Sequence, residues 1–212
     1  MSAAPLDAQD EPRIGPNAIL QTIAVLDRHL GRAARDRVMA LAGVPVPPAD
    51  SGMLPESQCH AVHQALRVDQ GEKSEGLLWL SGLATGDYIL ANRIPGFAQT
   101  IIKALPAALG ARVLAKAITK HAWTFVGSGQ FQVEGFKPLT FRIDGNPLRA
   151  ERAERPACHW HAAVFQRLFS TLVWPDCKVE EISCASVGSG PCRFVLHPQG
   201  GQAPHSAPVH SG

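Results

Sequence analysis

The hydrophobic period of this chain changes near Trp123, and that change limits the folds open to it. Upstream, apolar residues recur at three- and four-residue steps; downstream they mix with β-branched and aromatic neighbours and end in turn residues. NAILQTIAVLDRHLG puts Ile19, Ile23, Leu26 and Leu30 on one helical face and stops at Gly31. RAARDRVMALAG predicts a second, shorter helix, and VPVPPADSGMLP (Val44 to Pro55) a loop. Glu56 to Val68 predicts a third helix with Val62, Ala65 and Leu66 apolar, and Ser74 to Ala91 a long one broken near Pro95. GFAQTIIKALPAALGARVLAKAITKHA reads as two helical pieces jointed at Pro106. Past Trp123, WTFVGSGQFQVEG and LTFRID read as strands. ACHWHAAVFQRLFSTLV reads as a helix with Val164, Phe165, Leu168, Phe169 and Leu172 in a stripe. CKVEEISCASV and CRFVLH read as two final strands around GSGP. N-terminal helices followed by an antiparallel sheet with one crossing helix make an α+β fold.

A chain of 212 residues suits one domain with extensions. The expected division is a disordered N-terminus (1–15), an N-terminal helical region (16–71), a ligand-binding domain (72–196) and a disordered tail (197–212), the tail being rich in Gly, Pro and Ser. With 20 basic and 18 acidic residues there is no basic excess of the kind a nucleic-acid binder carries, so no nucleic-acid partner is expected. MSAAPLDAQDEPR lacks the apolar segment of a secretion signal, and GLLWLSGLATG (Gly76 to Gly86) is too short to span a bilayer. The expectation is a soluble cytoplasmic protein, whose five cysteines are thiols or metal ligands rather than disulfides. Arg112, Lys116 and Lys120 recur every four residues. They read as a solvated face, with a membrane or an acidic partner as the alternative.

Two stretches invite chemistry. VGSG occurs at Val126 to Gly129 and again at Val187 to Gly190, but strand texture follows each where a dinucleotide site needs a helix N-terminus, so both read as hairpin turns. In EEISCASVGSGPCRF, Cys184 and Cys192 flank such a turn. A hairpin brings them together, Cys158 stands at the front of the preceding helix, and Glu180 or Glu181 can complete four ligands for a metal. The competing reading is small buried hydrophobes. His159, His161, His60 and His63 read as helix-packing residues.

NPL, CHWH and VEEISCASVGSGPCRF, between Asn146 and Leu196, resemble the vinyl-four-reductase domain family. The family pattern falls on Cys158, Glu181, Cys184, Cys192 and Phe194. In sensor members that bind aromatic compounds, the Cys, Glu, Cys and Cys positions bind zinc. The resemblance therefore implies a zinc site of Cys158, Glu181, Cys184 and Cys192. Four protein ligands close the coordination, so that zinc is structural. Regular alternation would place Glu180, not Glu181, on the side of Cys184; a bulge near Ser183 would reconcile the strand with the family pattern.

GDYILANRIPGFAQTIIKALPAALGARVLAKAI, followed by HAWTFVGSG, resembles the bacteriochlorophyll-synthesis branch of the same family, and the likeness covers roughly Glu72 to Leu196. It implies a place at the divinyl-to-monovinyl step of chlorophyllide synthesis. Its ligand would be a Mg-tetrapyrrole, a Mg-porphyrin or chlorophyllide intermediate. Magnesium chelatase or the following methyltransferase would be its partners. It also implies a homodimer, a location in the cytoplasm or against the photosynthetic membrane, and a pocket-type fold related to a vesicle-tethering subunit. The family name implies a vinyl reductase, yet reduction needs a hydride source and the residues offer no nucleotide fingerprint. They suit a binding and delivery module. Reduction with an external reductant and small-molecule sensing are the alternatives. Tyr88, Arg93, Phe97, His121, Trp123, Phe125 and Phe131 supply the residue types a tetrapyrrole pocket wants: aromatic walls, a cation for carboxylates and a histidine for magnesium.

Overall fold

A computed structural model describes residues 11–198. The helical half comprises β1 (Arg13–Ile14), α1 (Asn17–His29), α2 (Arg32–Ala42), β2 (Leu54–Pro55), α3 (Glu56–Gln70), α4 (Lys73–Asn92), α5 (Gly96–Ala104), α6 (Ala107–Lys120) and α7 (Trp123–Val126). The sheet half comprises β3 (Gln130–Phe136), β4 (Leu139–Asp144), α8 (His159–Leu172), β5 (Lys178–Ser183) and β6 (Cys192–His197). The architecture is the expected α+β.

Four strands form one antiparallel sheet in the order β3-β4-β6-β5. Alternation sends Leu139, Phe141 and Ile143 of β4 inward, while Arg142 and Asp144 face outward and pair at 2.7 Å. Cys192 and Phe194 of β6 also point inward. Helix α8 lies on that inner face. Phe165 meets Phe141 at 5.0 Å and Phe194 at 5.5 Å between ring centroids, both edge to face. The far side of α8 carries α4, and α4 carries α1. Side chains at Gly82 and Gly86 would run into α8, so these glycines let the two helices approach closely. One core runs from Ile14 to Leu196, across the boundary expected at residues 71 and 72.

Several expectations need correcting. The N-terminal disorder expected through residue 15 does not hold for Arg13 and Ile14: β1 pairs with β2, Arg13 donates to the Met53 carbonyl at 2.6 Å, and Ile14 is fully buried. Residues 1–10 lie outside the described region, as does the tail from residue 199, but His197 belongs to β6. Leu30 is 39% exposed because α1 ends at His29. Trp123–Val126 is a helical turn, not a strand: the backbone N–H of Gly15 binds the Thr124 carbonyl at 2.7 Å, so tertiary pairing overrides the β-prone composition of WTFV.

Buried histidines give the fold an acid-sensitive edge. His63 is completely buried in α3, with its Nε2 3.0 Å from the Ala18 carbonyl oxygen and its ring edge-on to Trp160. Burial, then the nearby Arg67 charge, lowers its pKa from 6.5 to about 3, and burial lowers His161 to about 4. Between those values and 6.5 the unfolded chain holds protons that the folded chain does not. Stability is therefore full above about pH 6.5 and falls as the pH drops toward 4. The thermal midpoint is expected to drop by several degrees across that window, and His63→Gln to flatten the dependence. A midpoint with the same pH profile in wild type and His63→Gln would contradict the assignment.

Candidate metal centre and ligand groove

Cys158 stands at the N-terminus of α8, where the chain turns in from the loop after β4. Its Sγ is 3.6 Å from that of Cys184 and 3.4 Å from that of Cys192. Donor atoms of Cys158, Glu181, Cys184 and Cys192 all lie within 4.8 Å of one another, so the four could hold a metal ion. The sulfurs are too far apart for disulfides and all five cysteines are free. A tetrahedral metal with metal–sulfur bonds of about 2.3 Å spaces its sulfurs at roughly 3.8 Å, close to what the protein presents. One further observation favours a cation: the Oε1 atom of Glu181 is buried with no hydrogen-bond partner.

The strand geometry selects the carboxylate. Glu181 pairs with Phe194 and Ser183 with Arg193, so the β5–β6 register slips between them. This bulge turns Glu181 toward the cysteines, where its Oε2 accepts the Cys158 backbone N–H at 2.8 Å. Glu180 faces solvent and lies 3.5 Å from His197. The turn between the last two cysteines is fixed by Ser183, whose hydroxyl donates to the Pro191 carbonyl at 2.6 Å.

Four acidic groups this close cannot all ionise unaided. Burial, reinforced by the Cys184 charge, raises Glu181 to about 8. Cys184 is lowered because the Cys158 and Cys192 thiols donate to it, while sharing with Cys184 and Cys192 raises Cys158. A divalent cation reverses this balance and expels the remaining protons. Three thiolates and a carboxylate around a divalent ion leave two negative charges, and the surroundings oppose them. The Asn146 amide donates to Cys158 Sγ at 3.3 Å and the Ala185 N–H to Cys192 Sγ at 3.5 Å. The Arg67 guanidinium, buried at the end of α3, feels Cys158, Cys184 and Glu181, although burial still lowers its pKa.

Asn146 and Arg67 have roles the sequence did not reveal. Asn146 lies inside the quoted NPL stretch; Arg67 carried no signal beyond a cation in a helix's last turn. Outside the cluster, His159 approaches Glu75 at 3.8 Å, His161 contacts Asn146 at 3.4 Å and His60 binds the Pro147 carbonyl at 2.8 Å.

The seven expected pocket residues do not converge. Phe125 and Phe131 belong to the aromatic cluster around Phe165. Tyr88 and Arg93 line a separate cavity of about 480 Å³ beside α1, with the guanidinium 5.8 Å from the Tyr88 ring centroid. Phe97 and Trp123 are 71% and 59% exposed, and His121 caps the end of α6 in solvent. A larger groove of about 690 Å³ opens between α6 and β3. Its floor holds Val113, Val133 and Phe136, and its rim holds Arg112, Lys116 and Lys120. The basic stripe was legible in the sequence; the strand that completes the groove was not. Neither VGSG stretch is a phosphate cradle. Ser128 gives its N–H and hydroxyl to the Glu56 carboxylate at 2.8 and 2.6 Å, and a strand follows each turn.

Fold and site together define a vinyl-four-reductase domain, whose family model matches residues 139–198, the segment that carries all four cluster residues. The surrounding fold is shared with H-NOX proteins. One from K. algicida, in its Fe(II) unliganded form, has a TM-score of 0.57 at 12% identity and covers 86% of this chain and 95% of its own. Another, from work on heme distortion in the H-NOX family, has a TM-score of 0.53 at 8% identity over 86% of this chain and 93% of its own. Along its whole length the chain is similar to proteins called bacteriochlorophyll synthase 23 kDa chain. It is 79% identical to that of Rhodobacter capsulatus over 99% of both chains, and 58% identical to that of Cereibacter sphaeroides over 89% of this chain and 92% of the other. The chain belongs to this bacteriochlorophyll synthase 23 kDa family.

Proposed function

We propose that the protein binds a Mg-tetrapyrrole intermediate of bacteriochlorophyll synthesis and delivers it at the divinyl-to-monovinyl step, using a domain whose terminal hairpin is fixed by zinc. The observation that carries this reading is the α6–β3 groove. A tetrapyrrole is flat, apolar and edged with carboxylates. Val113, Val133 and Phe136 offer an apolar floor, and Arg112, Lys116 and Lys120 offer cations at its edge. Two likenesses support it. The named relatives belong to bacteriochlorophyll synthesis, and heme, the group named for the H-NOX family, is itself a tetrapyrrole. Zinc would be held by Cys158, Glu181, Cys184 and Cys192, a set that suits its preference for thiolate with carboxylate and leaves no open position. Its contribution there is to fasten the start of α8 to the β5–β6 turn. Magnesium chelatase and the methyltransferase of the same pathway are the proposed donor and acceptor.

Titration with divinyl protochlorophyllide, followed by the shift of its absorption bands, tests the reading. One ligand per chain is expected. Arg112→Glu with Lys116→Glu is expected to weaken binding by roughly tenfold or more, since each lost contact between a cation and a carboxylate is worth about 1.5–3 kcal/mol. Binding that the double variant leaves untouched would move the site away from the groove, and no binding by the wild type would end the proposal.

A further inference from the structure

We propose that the elbow formed by α5 and α6 docks the protein on an anionic lipid surface. The inference starts from the distribution of charge. From Tyr88 to Val133, 46 consecutive residues contain no aspartate or glutamate, so all 18 acidic residues lie elsewhere. The same stretch carries Arg93, Lys103, Arg112, Lys116 and Lys120, five positive charges in a chain whose total is +2.

Exposed apolar side chains fall on the same stretch. Ile102 is the only buried residue of α5. Phe97 and Ile101, one turn apart on its outer face, are 71% and 56% exposed. Beyond Pro106 the pattern repeats on α6, where Leu109 and Val113 are 45% and 39% exposed, and Trp123 follows just past its end. An apolar face flanked by lysines and arginines is the composition of a helix that lies in a membrane interface.

The elbow is held rigidly with this face outward. The Gln99 side-chain amide donates to the carbonyls of Leu90 at 2.7 Å and Ile94 at 2.9 Å, which fixes the turn from α4 into α5. A Cβ on Gly110 would stand 3.2 Å from the Ile102 carbonyl oxygen, so α6 packs closely against the buried residue of α5. Phe97 and Ile101 therefore gain no cover by a small rotation of the helix. Charge complementarity decides the occupant. A second copy would bring five positive charges against five, whereas an anionic bilayer offers both hydrocarbon for the apolar side chains and counter-charge for the cations. No helix among the described residues is long and apolar enough to cross a membrane, so the contact is peripheral.

Co-sedimentation of the full chain with lipid vesicles tests this. Vesicles containing phosphatidylglycerol are expected to bind the wild type at least tenfold more strongly than pure phosphatidylcholine, and 0.5 M salt to reduce the difference. Phe97→Ser with Ile101→Ser is expected to lower binding about tenfold, and Lys103→Glu several-fold. All three residues are exposed and lie outside the α6–β3 groove, so thermal midpoint and tetrapyrrole affinity stay unchanged; failure here leaves the function proposed above standing, and the reverse. Equal binding to both vesicle types would overturn the inference. So would a wild-type dimer that Phe97→Ser with Ile101→Ser converts to monomer, which would give the face to a second copy.

Discussion

Cys158→Ser is expected to lose the bound metal and to lower the thermal midpoint by about 10 °C or more. Structural zinc contributes roughly 10–16 kcal/mol of apparent binding free energy in small domains. Even about 3 kcal/mol of that, lost with one ligand, moves the midpoint of a chain this long by about 6–12 °C at 2–4 °C per kcal/mol. The effect falls on the core because Cys158 starts α8, the helix that separates the sheet from α4, and because its Sγ contacts both other cluster sulfurs. A chelator is expected to shift wild type toward the variant and to leave the variant where it is. The two carboxylates divide cleanly. Glu181→Gln is expected to share the loss, and Glu180→Gln, at a side chain 68% exposed, to leave metal content and midpoint alone. Metal analysis of protein purified without chelator, beside a melting curve, reads all of these. Wild type without zinc would contradict the assignment.

Gly82→Ala is expected to destabilise the protein by about 1–3 kcal/mol or more, the reverse of what the substitution does in an ordinary helix. The new Cβ would overlap the Trp160 carbonyl oxygen and stand 2.7 Å from the Ala163 Cβ, so α4 and α8 would have to part. Gly76, six residues earlier in the same helix, has nothing within 4 Å of its Cβ position. Gly76→Ala is therefore expected to stabilise by about 0.5–1 kcal/mol. Chemical denaturation of the pair checks the opposite signs. Equal shifts for both would mean that the two helices are not in close contact.

What the sequence could show depended on how far apart the partners lie. Helices α1 to α6 announce themselves because each buries a stripe set by its own residues, and Pro95 and Pro106 mark the joints. The four-residue α7 does not, because its conformation is imposed by pairing with Gly15, far upstream. The cluster residues were legible through their spacing and a family likeness, and the bulge that turns Glu181 inward was inferred from the conflict between that pattern and strand alternation. Arg67 was not legible. It reaches the carbonyls of Leu148 and Ala157, 81 and 90 positions along the chain, at 3.1 and 3.5 Å. The pocket residues were chosen for chemical type, and type alone does not separate Phe131, 9% exposed in the core, from Phe136, 42% exposed in the groove.

Whether this protein carries its tetrapyrrole or transforms it is open to one direct measurement. Purified protein is mixed with an equimolar amount of divinyl chlorophyllide and with NADPH, and the pigment is extracted and separated after an hour. The account expects a bound spectrum that persists and an extract that is still entirely divinyl. Monovinyl product accumulating beyond one equivalent on repeated additions of substrate would contradict it, and would make the protein a reductase.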